Sequence, residues 1–138
     1  MYNLLLVPID GSENSMRAAK HAIDLAAKFN SKLIALHVVD MRVVKAYEGS
    51  SQVLAQLKRL GEQYLKDVTE MAGEANVKIG TILRNGLPSE VIVEEAERRG
   101  VDLIVMGTRG LTGAKRVILG STAEQVIRWA ECSVLVIK

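Results

Sequence analysis

Five short apolar runs alternate with amphipathic segments along this chain, and that alternation leaves few folds open. Leu4 to Ile9, Lys32 to Val39, Val77 to Leu83, Val101 to Met106 and Ser133 to Ile137 read as strands. The first, second and fourth are apolar on both faces, as in strands covered by helices on each side. Val77 to Leu83 mixes in Lys78 and Gly80 and suits an edge. Between the runs, Met16, Ala19, Ala22, Ile23, Ala26 and Phe29 repeat at helical spacing behind a Ser12 N-cap. Val53, Leu57, Leu60, Tyr64, Val68, Met71 and Ala75 do the same over Ser51 to Ala75. A further helix starts at Pro88 and stops at Gly100, with Glu94–Arg98 and Glu95–Arg99 as i,i+4 pairs. In the last, Ser121-Thr122-Ala123-Glu124 has the form of a capping box, and Ala123, Val126, Ile127 and Ala130 make the apolar face. Asp40 to Ser50 has no such period and is expected to be irregular.

Strand and helix alternating in this way imply an α/β fold, a doubly wound five-stranded parallel sheet with helices on both faces. Right-handed crossovers and the weak third strand favour the order 3-2-1-4-5. The direction of winding then reverses between strands one and four, and ligands bind outside the carboxyl ends of strands at such a reversal. Asp10 ends the first strand and Gly107 the fourth, so both are expected there. At 138 residues, 1–138 should form one domain with a sizeable core.

Composition removes several functional classes. The formal charge of +2 and an aromatic content of 4% argue against a nucleic-acid surface or a base-stacking platform. No apolar segment reaches the ~18 residues of a membrane span. Cys132 stands alone, which permits a reducing compartment. Met1-Tyr2-Asn3 runs into Leu4 without a basic leader, so cytoplasmic residence is the expectation.

Gly107 to Thr122 is the stretch that carries chemistry. An apolar strand, a glycine-rich loop and a helix start are the parts of an anion site, because the first helical amides lack partners and carry the positive end of the dipole. Two phosphate signatures fail: no Gly-Lys is followed by Ser or Thr, and glycines 107, 110, 113 and 120 do not have dinucleotide-fingerprint spacing. What remains is Gly107-x2-Gly110-x9-Gly120-Ser121. With Val7-Pro8-Ile9-Asp10-Gly11-Ser12, Leu36-His37-Val38, Gly86-Leu87-Pro88 and Val105-Met106-Gly107, this pattern resembles the universal stress protein family over the whole chain. The glycine spacing is that of its ATP-binding branch, and no motif position departs from it.

The resemblance implies an adenine nucleotide alpha hydrolase-like sheet and ATP, with Mg2+, as the bound cofactor. It implies that Gly107, Arg109, Gly110, Gly120, Ser121 and Thr122 surround the phosphates and part of the ribose, with Ala123 at the same helix start. It further implies Asp10 near the ribose or adenine and an apolar slot of Pro8, Ile9, Val38 and Met106. Lys115 and Arg116 read equally as countercharge or as solvated loop residues. Asp10 alone reads as a turn residue, and Ser121 cannot serve fully both its own helix and a phosphate.

The loop contains no carboxylate or histidine to act as a base. His21 lies on the polar face of its helix, and His37 reads as a hydrogen-bonded core residue. The expectation is an ATP-binding stress-response or regulatory protein that controls partner contacts without efficient turnover. A slow Mg-dependent ATPase using Asp10 and a nucleotide-free dimeric module are the alternatives. Val134 to Ile137 lacks proline or inward charge to protect an edge. A two-fold homodimer through that strand is therefore expected, as the resemblance also implies.

Overall fold

The computed structural model describes residues 1–108 and 119–138. In chain order the elements are β1 (Leu4–Pro8), α1 (Glu13–Phe29), β2 (Lys32–Asp40), α2 (Met41–Ala46), α3 (Ser51–Glu74), β3 (Ile79–Gly86), α4 (Pro88–Arg99), β4 (Leu103–Gly107), α5 (Ser121–Trp129) and β5 (Ser133–Ile137). The strands form one parallel sheet in the order β3-β2-β1-β4-β5. β1 pairs with β2 on one side and β4 on the other, so the winding reverses at β1, as the alternation predicts.

Two apolar layers sandwich the sheet. Leu5, Val7, Leu33 and Val105 pack with Ala19, Ile23, Leu65 and Val68 from α1 and α3. On the opposite face Leu6, Leu36, Ile104 and Met106 pack with Ile92, Ala96 and Val126 from α4 and α5. Alternate side chains along each strand feed opposite layers, which is why the strands read as unbroken apolar runs.

Several local expectations shift. The stretch after β2 is not irregular throughout: α2 forms there, because the Asp40 side chain accepts from the Arg42 amide and caps it. β3 begins at Ile79 rather than Val77 and runs to Gly86, following β2 from Leu33↔Ile79 to Asp40↔Gly86. In α3 the buried line is Gly61, Leu65, Val68 and Ala72, while Leu60 and Ala75 are exposed. The buried line of that helix begins at Gly61, so its first half adds no residue to the buried core.

Phe29 is also exposed, edge-on to Tyr2, and Ile127 points outward one step round from Val126. The capping box does not form. Gly120 is the N-cap, Ser121 is the first helical residue, and the Glu124 side chain pairs with Arg128 at 3.0 Å.

Glu94 does not meet Arg98 either. Arg84 reaches over from β3 and binds both Glu94 (2.8 Å) and Glu95 (2.9 Å), while Arg99 binds Glu95 at 2.8 Å as expected. Glu95 is fully buried. Burial opposes its ionisation, but hydrogen bonds from Arg99 and Arg84 outweigh that and hold the carboxyl below its ordinary range. A depressed native pKa means the stabilisation is present above the ordinary carboxylate range and is lost as pH falls through the native value. Glu95→Ala should cost about 3 kcal/mol, the lower end for breaking a buried pair, because the guanidiniums left behind are part-exposed. In urea titrations the gap between wild type and variant should close as the buffer is acidified.

Candidate functional site

The reversal of strand order opens a cavity of about 520 Å³ at the carboxyl ends of β2, β1 and β4. That is a size common for small-molecule sites. Pro8, Ile9 and Asp10 come to it from the end of β1, Val38 from β2, Met106 and Gly107 from β4, and Gly120, Ser121, Thr122 and Ala123 from the start of α5. Ten positions scattered over the sequence are thus brought to one space. Arg109 and Gly110, with Lys115 and Arg116, lie outside the described residues.

The chain turns sharply after β1 because Asp10 makes a local turn: its Oδ1 accepts from the Ser12 amide at 2.9 Å, and its own amide donates to Ser15 Oγ. Ser12 then caps α1 through the Ser15 amide. The turn reading of Asp10 is therefore correct, and the same residue lines the cavity.

Across the cavity, Gly120 is extended (φ −72°, ψ 162°), and the first amides of α5 have no intrahelical partners. With Gly120 as the cap, Ser121 is not drawn into capping. Both α5 hydroxyls at this end, Ser121 and Thr122, line the cavity. The competition expected between helix and ligand for Ser121 does not arise.

Gly107 is required by the protein itself. A Cβ there would lie 2.2 Å from Asn14 Oδ1. Asn14, buried in the first turn of α1, donates through Nδ2 to the Ile137 carbonyl at 3.1 Å, and its Oδ1 accepts a long 3.5 Å bond from the Thr108 hydroxyl. Thr108 also donates its amide to Ile137 and accepts from the Gly120 amide. One small network thereby fixes both flanks of the glycine loop.

Sequence reasoning missed much of the opposite wall. His37 is a core histidine as expected: its Nδ1–H donates to the Ile9 carbonyl at 2.6 Å and its ring stands edge-on to Tyr64. It nevertheless lines the cavity, together with Leu57, Leu60 and Tyr64 of α3. α3 comes this close because residue 61 is glycine, where a Cβ would lie 2.3 Å from His37 Cδ2. Asp40 and Arg42 complete the wall as a bidentate pair, Nε to Oδ1 at 3.0 Å and Nη2 to Oδ2 at 2.7 Å. The Arg42 side-chain hydrogen bonds hold the Asp40 carboxyl below its usual range. An Asp two residues before an Arg at a strand end was the available signal.

Asp102, by contrast, sits at the far end of the sheet, where it accepts from the Asn3 and Leu4 amides. His21 is exposed on α1. Neither reaches the cavity.

Gly107→Ala should destabilise the fold by about 1–3 kcal/mol through the forced shift of Asn14. Part of that cost should disappear in an Asn14→Ala background. Thermal denaturation of the two single variants and the double variant measures the coupling, and simple additivity would place the clash elsewhere.

Comparison with known proteins bears directly on this arrangement. The universal stress protein family model matches residues 1–138. Universal stress protein MJ0531 of Methanocaldococcus jannaschii is 47% identical over 141 residues, spanning 100% of this chain and 83% of that protein. Among solved structures, hypothetical protein MJ0577 superposes with a TM-score of 0.91 at 34% identity, over 100% of this chain and 96% of the other. A universal stress protein crystallised in complex with cAMP superposes with a TM-score of 0.73 at 28% identity, over 99% and 97%.

Proposed function

This chain belongs to the universal stress protein family, and from that premise we propose that it is an ATP-binding regulator whose nucleotide state alters its contacts with other proteins. The observation that carries the reading is the meeting, at one cavity, of an apolar slot with an anion-binding helix start. Pro8, Ile9, Val38 and Met106 offer surface for a base, while Gly107, Gly120, Ser121 and Thr122 offer approach, amides and hydroxyls for phosphates. The related structure solved with cAMP supports an adenine nucleotide as the class of ligand. Mg2+ enters with the triphosphate, whose oxygens supply much of its coordination, and needs no dedicated protein cage.

Retention without efficient turnover is the reading we favour over hydrolysis. The stretch that would hold the phosphates, Gly107 to Thr122, contains no carboxylate or histidine. A general base must be in position to take a proton from the attacking water. Among the described residues, no helix is long and apolar enough to cross a membrane. That fact and the single cysteine agree with cytoplasmic residence, which forms part of the proposal.

Calorimetry with ATP and Mg2+ should give saturable binding, and single-turnover incubation should return the bound nucleotide as ATP. The backbone of Gly120 is one that any residue adopts, so Gly120→Val should fold normally and lose binding. No heat and no thermal shift at millimolar ATP with the wild type would overturn the reading.

We also propose a homodimer through β5, which among the described residues pairs only with β4 and presents an open edge carrying the part-exposed Leu135. Sedimentation at micromolar concentration should give twice the monomer mass. Leu135→Asp should move it toward the monomer.

A further inference from the structure

α2 and the first half of α3 flank the cavity, α2 contributing Arg42 and Val43 to its wall and α3 contributing Leu57 and Leu60. Leu57, Leu60 and Tyr64 continue a line that begins at Val53, at the three- and four-residue spacing of one helix face. Only from Gly61 onward does α3 bury residues in the core, so the earlier part of this face is apolar without a covering layer. Val43, Tyr47 and Leu60 are 41%, 62% and 43% exposed. An exposed apolar patch rimmed by polar residues marks an interaction site.

The same segment is the basic part of the chain. Residues 41–60 contain Arg42, Lys45, Lys58 and Arg59 against Glu48 alone, a net charge of +3, whereas the whole chain carries +2 and the rest of it therefore −1. Arg42 is taken up by Asp40. Lys45, Lys58 and Arg59 belong to none of the ion pairs among the described residues, and Lys45 and Arg59 are exposed. An apolar face rimmed by unpaired cations is complementary to a helix of opposite charge with a matching apolar stripe. Its recess selects among anionic partners. Leu57 is half-buried in the cavity wall, where a protruding side chain can reach it and the flat surface of a bilayer cannot. A second copy presenting the same face would bring like charges together.

We propose that the face formed by α2 and the first half of α3 is a docking site for an acidic amphipathic helix of another protein, whose apolar stripe seats on Val43 and Leu60 and whose carboxylates meet Lys45 and Arg59. The assignment rests on the reading of this chain as a regulator of protein contacts, and it gives that contact a place and a chemistry. Because Val43 and Leu60 also line the cavity, the partner and a bound nucleotide share one wall.

The probe is a fluorescein-labelled synthetic peptide of about 16 residues, or some 24 Å of helix, with leucine along one face and glutamate on the other. Fluorescence anisotropy with the wild type should show saturable binding with a Kd of about 100 μM or tighter, weakening as salt is raised. Lys45→Glu combined with Arg59→Glu should weaken it at least about tenfold. Lys20→Glu combined with Lys28→Glu, the same change of charge at exposed positions of α1, should leave it unchanged. Leu60→Ser should weaken it at least about threefold through lost apolar contact, and circular dichroism checks that each variant is folded. A peptide with lysine in place of glutamate should not bind. No binding of the glutamate peptide, equal losses in the two charge-reversed pairs, or an unchanged affinity in Leu60→Ser overturns the docking site. So does co-sedimentation of the wild type with phosphatidylglycerol vesicles while the peptide stays unbound, which would give the face to a membrane. Calorimetry with ATP on the same sample keeps the two readings apart. Peptide failure with ATP bound leaves the nucleotide site standing, and ATP failure with peptide bound leaves this face standing.

Discussion

Everything at the upper edge of this sheet depends on the point where its winding reverses, and a buried asparagine holds that point together. Neighbouring parallel strands whose outgoing connections lead to opposite faces of the sheet leave a crevice between those connections, and the exposed backbone at the crevice must find partners. Asn14 reaches from α1 to the last carbonyl of β5 and to the Thr108 hydroxyl, while Thr108 ties to Gly120 through the backbone. The crevice stays open because its rim is bonded sideways, with no need for contacts across the gap. Such a rim presents a preformed cavity to a ligand, which lowers the ordering cost of binding.

The sheet and its order were legible because they follow from periodicity and handedness, both local or nearly universal. Apolar runs at β1, β2 and β4 could hardly be anything else, and a weak β3 could only lie at an edge. Boundaries were less legible where tertiary pairing overrode local pattern. β3 slid two residues to match β2, and Ser121 yielded the cap to Gly120, one residue out of register with the box its sequence spells.

The candidate cavity divides in the same way. Residues at strand ends and at the α5 start could be named, since topology alone brings them together. The wall from α2 and α3 could not. Leu57 and Leu60 read as ordinary core positions of an amphipathic helix, yet the buried line of α3 starts only at Gly61 and these two line the cavity instead. Asp40 and Arg42 fell in a stretch without a period, so their pairing had no visible frame. Gly107 was legible as glycine, though the reason for it lay in Asn14, 93 positions away in the chain.

Gly61 has a wider consequence. Its missing side chain lets α3 settle against the His37 ring, and α3 carries Leu57, Leu60 and Tyr64 along one side of the cavity. The width available to a bound molecule is therefore set from behind, by the depth to which a helix sinks toward the sheet. A methyl group at that position would lift the helix outward and widen the chamber without altering a single atom of its lining, so the aperture of this fold can be adjusted by a residue that no ligand ever meets.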